Sequence, residues 1–332
     1  MLKQTSAYAL DELNLELTLG QRGQERQREV PLIDLSDFDA RRDEITEQLW
    51  EAAADIGFFQ LVNHGIEIGH IRDAFSMAEQ FFGLPEETKA RYPLRDGQNA
   101  GWETRAQIRP STGTADQKES YQVTLPRMEG LWPEREVLGG FQHEMLRFEA
   151  RCHDLGMKVM SCFADRLGFE RNFFTRAHDP ASETYQSTLR LLHYYALPPQ
   201  YRPEEGYWRA GAHTDFDCLT MVFQQTGQGG LQLCPGKEAG SNEWTSVQPD
   251  TGIITCNIGD MLMRWSDDAL KSTLHRVRMP ETGEYTGARF SLAYFCQANK
   301  DVVIEGPKGK YPPITAADYL RQRIEANFGN RG

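Results

Sequence analysis

None of the six cysteines in this chain has a close partner in sequence. Cys152, Cys162, Cys218, Cys234, Cys256 and Cys296 are scattered and form no Cys-x-x-Cys pair. That spacing speaks against a zinc knuckle or a disulfide framework and suits reduced thiols in a cytoplasmic protein. A basic block is lacking too. The formal charge is -12, and an acidic chain without a basic tract is a poor nucleic-acid binder. No apolar run approaches the roughly 20 residues of a membrane span. The N-terminus lacks the basic and apolar stretches of a secretory signal. Repeats and low-complexity tracts are absent as well. The chain has 332 residues with 39% hydrophobic content, enough for a sizeable core.

The first half of the chain reads as helices with short strands. Residues 1–28 are polar and read as a loosely held arm. Val30-Pro31-Leu32-Ile33-Asp34-Leu35 suits an edge strand, with Pro31 near its start. Ile45, Leu49, Ala52, Ala53 and Ile56 recur at helical spacing over 41–56, and Gly57 can end that helix. Phe58-Phe59-Gln60-Leu61-Val62 reads as a buried strand, followed by a helix over 68–82 and a short one opened by Pro85-Glu86-Glu87. Residues 93–139 show little periodicity and read as a long loop; its Trp102, Arg105 and Arg109 are either substrate-facing or solvated loop residues. Residues 140–168 carry an apolar stripe of Phe141, Met145, Phe148, Cys152, Leu155, Val159, Phe163 and Leu167. This predicts one long helix, with His143 and His153 on its wetter side.

After residue 185 the pattern changes to short β-branched and aromatic runs: 188–195, 218–224, 230–234, 244–248, 252–257, 260–265, 274–279 and 288–297. Glycine-rich turns separate many of them, which predicts an antiparallel sandwich or barrel. A C-terminal helix follows over about 316–327. The fold class expected is therefore mixed α/β with a β-rich core. Its units are an N-terminal region over 1–139, a long backing helix and linker over 140–184, the core over 185–311 and a C-terminal helical segment over 312–332.

His213-Thr214-Asp215 puts an imidazole and a carboxylate two residues apart, so an extended segment presents both on one side. It is the only His-x-acid in the chain. Among 8 histidines and 48 acidic residues one such pattern can arise by chance, and alone it decides nothing. His275 lies 60 positions after Asp215 in the strand-like run Ser272-Thr273-Leu274-His275-Arg276-Val277. Two histidines and one carboxylate form the facial triad of non-haem iron(II) oxygenases, with three positions open for substrates. The alternative for His275 is a hydrogen-bonded strand histidine. Arg289-Phe290-Ser291 repeats the two-residue geometry, with a guanidinium and a hydroxyl on one side. A strand-borne arginine inside a core needs an anion, and its fork suits a carboxylate, from a ligand or from an internal salt bridge.

In this order of motifs the chain resembles the isopenicillin N synthase-like family of iron(II)/2-oxoglutarate-dependent dioxygenases. Val30–Leu35 and Gly57-Phe58-Phe59-Gln60-Leu61-Val62-Asn63-His64-Gly65 resemble its N-terminal region. Asp116-Gln117-Lys118-Glu119-Ser120-Tyr121 resembles the segment ahead of the core. Asn257-Ile258-Gly259-Asp260-Met261-Leu262 and Trp265-Ser266 resemble the stretch before the distal histidine. The resemblance implies a double-stranded β-helix (jelly roll) with flanking helices. It implies iron(II) held by His213, Asp215 and His275, dioxygen, and 2-oxoglutarate bound through Arg289 and Ser291. His193-Tyr194-Tyr195 aligns with a segment that reads Asn-Tyr-Tyr in many members; it implies a co-substrate contact for Tyr195, a core role for Tyr194 and an open role for His193.

The implied reaction couples decarboxylation of 2-oxoglutarate, to succinate and carbon dioxide, to oxidation of a small organic substrate. Three alternatives stay open on sequence: an oxidase of the isopenicillin N synthase type that needs no 2-oxoglutarate, an enzyme forming ethylene and succinate from 2-oxoglutarate, and a non-catalytic jelly roll that captures ligands. A zinc hydrolase would lack a use for Arg289 and Ser291. Phe216, Phe295, Gln297, Arg105 and Arg109 are the candidates for the substrate pocket. The acidic surface and the two loop arginines suggest a small, carboxylated substrate rather than a protein or nucleic acid, and no membrane partner is expected.

Overall fold

The β-branched and aromatic runs of the second half pair into two facing sheets. The computed structural model describes residues 23–95, 97–105, 116–198, 200–201, 208–234 and 243–328. In chain order the N-terminal elements are β1 (Gln24–Glu25), β2 (Leu32–Asp34), α1 (Arg42–Asp55), β3 (Phe58–Val62), α2 (Ile68–Phe82), α3 (Glu86–Lys89), β4 (Gly101–Thr104) and β5 (Lys118–Val123). Two helices follow, α4 (Phe141–Leu167) and α5 (Phe173–Ala177). The core strands are β6 (Thr188–Tyr194), β7 (Trp208–His213), β8 (Leu219–Gln224), β9 (Leu231–Cys234), β10 (Glu243–Ser246), β11 (Ile254–Ile258), β12 (Leu274–Arg278) and β13 (Arg289–Cys296), with α6 (Asp260–Trp265) between β11 and β12. A small pair, β14 (Val303–Ile304) and β15 (Ile314–Thr315), leads into α7 (Ala316–Phe328).

The larger sheet runs β2-β3-β11-β8-β13-β6-β5-β4 and the smaller β1-β10-β9-β12-β7. Within the core the pairings are antiparallel, as in a jelly roll; β2 with β3 and β1 with β10 are parallel. The long helix α4 backs the larger sheet. Its predicted stripe is buried from Phe141 to Phe163, with Leu167 partly exposed, and Phe148 meets Phe223 at 5.0 Å between ring centroids. Gly156 lets helix and sheet meet closely, because a Cβ there would lie 2.7 Å from the Cys296 sulfur.

Four expectations are corrected. Residues 260–265 form helix α6, not a strand: five of the six are buried, and so short a buried run cannot be told from a strand by periodicity. The stretch 93–139 contains β4 and β5. All six residues of β5 are buried although Lys118, Glu119, Ser120 and Gln122 are polar, so it has no apolar period to read. Strand β7, Trp-Arg-Ala-Gly-Ala-His, escapes the sequence pattern for the same reason. His153 is buried rather than wet, 3.4 Å from the Tyr185 and Tyr294 hydroxyls.

Glu119 explains how polar β5 survives burial. Its Oε2 accepts from Lys89 Nζ and Trp102 Nε1, each at 2.7 Å, and its Oε1 pairs with His193 Nδ1 at 2.7 Å. The cluster fastens α3 and β4 to the core strands. Burial pushes the Glu119 pKa up, but the bonds from His193, Lys89 and Trp102 outweigh it and hold the carboxyl below its ordinary range. Its contribution to stability is therefore full above the ordinary carboxylate range and lost as pH falls from that range through the lower value of the folded state. Glu119→Ala strands the Lys89 charge and is expected to lower unfolding free energy by about 3–5 kcal/mol in urea titrations at neutral pH. Lys89→Met with Glu119→Leu should cost less than the single change.

Candidate metal centre

Strands β7 and β12 lie side by side with His213 directly across from His275. The two imidazoles sit 4.3 Å apart between ring centroids. Each ring is oriented by its own strand. His213 Nδ1 donates to the Gly211 carbonyl at 2.7 Å, and His275 Nδ1 donates to the Thr273 carbonyl at 3.2 Å. A carbonyl only accepts, so Nδ1 carries a proton, and in the neutral ring Nε2 is left with a lone pair toward the cavity. Asp215, just past the end of β7, faces both: His213 Nε2 is 3.9 Å from Oδ1 and His275 Nε2 is 3.6 Å from Oδ2. These gaps exceed a hydrogen bond, yet one ion with bonds of about 2 Å can bridge them. One ligand atom from each residue falls within 4.8 Å of the others.

The carboxylate is held as firmly as the rings. Asp215 Oδ2 accepts from Thr220 Oγ1 at 2.6 Å and from Asn257 Nδ2 at 2.8 Å. Asp217, fully buried, is pushed well above the usual carboxylate range by burial first and by Asp215 second. Neither Thr220 nor Asn257 stands out in the sequence as a site residue, although Asn257 belongs to the Asn-Ile-Gly-Asp stretch that carries the family resemblance.

The three residues open onto a cavity of about 460 Å³ between the sheets. Alternate residues of β13 line it: Arg289, Ser291, Ala293 and Phe295, then Gln297 beyond the strand. Arg289 is 1% exposed. It donates to Ser291 Oγ at 3.3 Å, Gln224 Oε1 at 3.2 Å and the carbonyls of Gln228 and Gly229 at 3.1 Å, and its guanidinium lies 4.9 Å from the Tyr194 ring centre. All of these acceptors are neutral. Among the described residues no carboxylate pairs with Arg289, so the internal salt bridge that sequence leaves open is not formed, and burial lowers its pKa. A desolvated guanidinium without a counter-charge is stabilised by an anion placed beside it.

Residues 30–135 match the family model for the non-haem dioxygenase in morphine synthesis N-terminal region. Residues 186–298 match that of the 2OG-Fe(II) oxygenase superfamily. The chain is 30% identical over 316 residues to proline hydroxylase buaE of Petromyces alliaceus, covering 90% of this chain and 94% of that protein. It is 32% identical to UPF0676 protein C1494.01 of Schizosaccharomyces pombe, over 91% of this chain and 93% of that one. A full-length Neurospora crassa protein, solved in complex with alpha-KG, matches with a TM-score of 0.79 at 30% identity, over 90% of this chain and 96% of that chain. The chain is a 2-oxoglutarate/iron(II) oxygenase.

As such it uses iron(II), 2-oxoglutarate and dioxygen to oxidise a small substrate. The donor set of this oxygenase fits iron(II): two neutral nitrogens and one carboxylate oxygen, each fixed by a partner on its far side. Not every expected residue reaches the cavity. Tyr195 turns away, its hydroxyl 2.6 Å from Thr104 Oγ1 and its ring under Arg105. Even-numbered residues of β6 face inward, so Tyr194 lines the cavity opposite Arg289. His193 faces outward, stacked on Phe290 and bonded to Glu119. Arg105 is exposed beside Tyr195, Trp102 is buried against Glu119, and Arg109 lies outside the described residues. Phe216, Phe295 and Gln297 do line the cavity.

Helix α7 braces the segment that carries Thr214 and Phe216. Arg323, 1% exposed, pairs with Asp260, whose Oδ2 also accepts from Thr214 Oγ1 at 3.0 Å; Arg323 lies over the Phe216 ring. Nothing in the amphipathic pattern of 316–327 marks Arg323 for this role. Thr220→Val with Asn257→Leu removes both donors to Asp215. The double variant is expected to weaken divalent-metal binding by about 10- to 100-fold, read by cobalt(II) absorbance titration. An unchanged Kd would show that these donors do not position Asp215.

Proposed function

We propose that His213, Asp215 and His275 hold the iron(II) and that Arg289, with Ser291, binds the distal carboxylate of 2-oxoglutarate. The observation that carries this is the buried Arg289 guanidinium, with only neutral acceptors, in the same cavity as the three converging donors. Bound iron(II) supplies dioxygen activation driven by decarboxylation of 2-oxoglutarate. The protein's own part is orientation and exclusion of water. Arg289 offers a fork to the carboxylate and Ser291 a hydroxyl, while the Gln228 and Gly229 carbonyls hold the guanidinium from behind. Leu192, Val222, Leu231 and Val277 wall the cavity with apolar surface. Phe216 and Phe295 bound the space left for a substrate.

A cavity of about 460 Å³ favours a small molecule. The related Neurospora crassa protein is seen with thymine and with 5-formyluracil, which agrees in size. Succinate release that depends on 2-oxoglutarate is the expected activity of the iron(II)-loaded chain. Arg289→Ala should weaken 2-oxoglutarate binding by about 1.5–3 kcal/mol, roughly ten- to a hundred-fold, in calorimetric titration under nitrogen. Wild-type affinity in that variant would refute the assignment of Arg289.

A further inference from the structure

We infer that Arg127 and Lys300 form a second anion subsite in the cavity, which takes a carboxylate of the primary substrate. This rests on the reading of Arg289 as the co-substrate anchor.

The cavity is lined by six described cations, and four of them are already engaged. Lys118 pairs with Asp116 at 2.9 Å. Arg95 donates to the main-chain carbonyls of Arg127 and Glu129. Arg190 donates to Asn99 Oδ1 at 3.1 Å and lies over the Phe295 ring. Arg289 is bound at the other end of β13. Arg127, after β5, and Lys300, after β13, have no side-chain ion pair or hydrogen bond with a described residue. Both are half-buried. Burial lowers the pKa of each, and the charge of Arg127 lowers that of Lys300 further. Two desolvated cations facing one cavity repel each other, and an anion between them would relieve both costs.

Solvated surface cations would be the plain alternative. The chain holds 48 acidic residues against 36 basic ones, so a surface cation finds a carboxylate readily. Along this cavity the balance is inverted: Asp215, the candidate iron ligand, is the only acid among the described lining residues. The backbone of Arg127 is moreover held from behind by Arg95.

Position along β13 separates the two anion sites. Arg289 opposes Tyr194, whereas Phe295 opposes Thr188 and Thr220, the residue bonded to Asp215. The six steps from Arg289 to Phe295 span about 20 Å at roughly 3.3 Å each, far beyond a five-carbon diacid. Lys300 and Gln297 lie beyond Phe295, so the Asp215 level falls between the two ends. Phe216, Phe295, Leu320 and Ile324 line the cavity as apolar surface. The ligand class that fits is a carboxylate with an apolar body, its acid group at Arg127 and Lys300 and its far carbons toward the iron ligands.

The test compares acids with their own neutral amides. The full chain, loaded with iron(II) and saturated with 2-oxoglutarate under nitrogen, is titrated with straight-chain acids from butanoate to octanoate, benzoate and 3-phenylpropanoate, and with the matching primary amides. At least one acid is expected to bind about ten-fold or more tightly than its amide. Arg127→Gln with Lys300→Met should abolish that preference, and Arg127→Lys with Lys300→Arg should retain it. No acid bound in preference to its amide, or a preference that persists in the neutral double variant, would overturn the proposal. Titration of wild type and Arg289→Ala with 2-oxoglutarate alone reports the co-substrate reading separately, so failure of one is not confused with failure of the other.

Discussion

The register of β7 against β12 is the constraint on which the centre depends. His213 stands across from His275, and a slip of one residue would send one imidazole to the opposite face of the sheet. The pairing is secured from both sides. β12 also pairs with β9, His275 opposite Leu233. The segment entering β12 is docked on the N-terminal region: Lys271 N donates to the Ala53 carbonyl at 3.0 Å, and Thr273 Oγ1 to the Ile56 carbonyl at 2.6 Å. Gly57, with φ of +77°, permits that contact, since a Cβ there would lie 2.2 Å from the Lys271 carbonyl oxygen. The N-terminal region therefore helps to set the position of His275, although none of its residues belongs to the proposed triad.

The cavity shows how polarity is spent. Its walls are largely apolar, and of the charges that line it Lys118, Arg95 and Arg190 are engaged by protein groups. Three buried carboxylates are matched by a cation: Glu119 by Lys89, Asp116 by Lys118 and Asp260 by Arg323. Arg289 departs from that pattern, because its acceptors are all neutral. Arg209 and Arg276 are buried with neutral partners too, but neither lines the cavity; Arg289 does, beside His213, Asp215 and His275, where a ligand's charge could meet it.

Much of the centre is legible in the sequence because strand geometry is regular. His213 and Asp215 sit two residues apart, as do Arg289 and Ser291, and the structure brings each pair to the cavity. The same regularity misleads at Tyr195. Which of two adjacent tyrosines faces inward depends on the phase of β6, and that phase is set by pairing with β13 and β5, not by local composition. Helix α6 and strand β5 escape the pattern for a related reason. Burial of all of β5 and nearly all of α6 removes the contrast between apolar and polar faces on which periodicity relies. Thr220, Asn257 and Arg323 carry no local signal of a role, because each acts through a partner that only the fold brings near.

By itself the sequence determined the inventory: a triad of ligand types in order, an arginine and a serine on one strand face, a long backing helix and a β-rich core. Those follow from residue chemistry and from periods of two and 3.6, which are local. Tertiary structure alone decided which side chains converge. It put Tyr194 rather than Tyr195 opposite Arg289, left Arg289 without a carboxylate among the described residues, and set Arg127 and Lys300 at the far end of the same cavity. Convergence is a property of strand register and sheet packing, and these are fixed by contacts between residues many tens of positions apart.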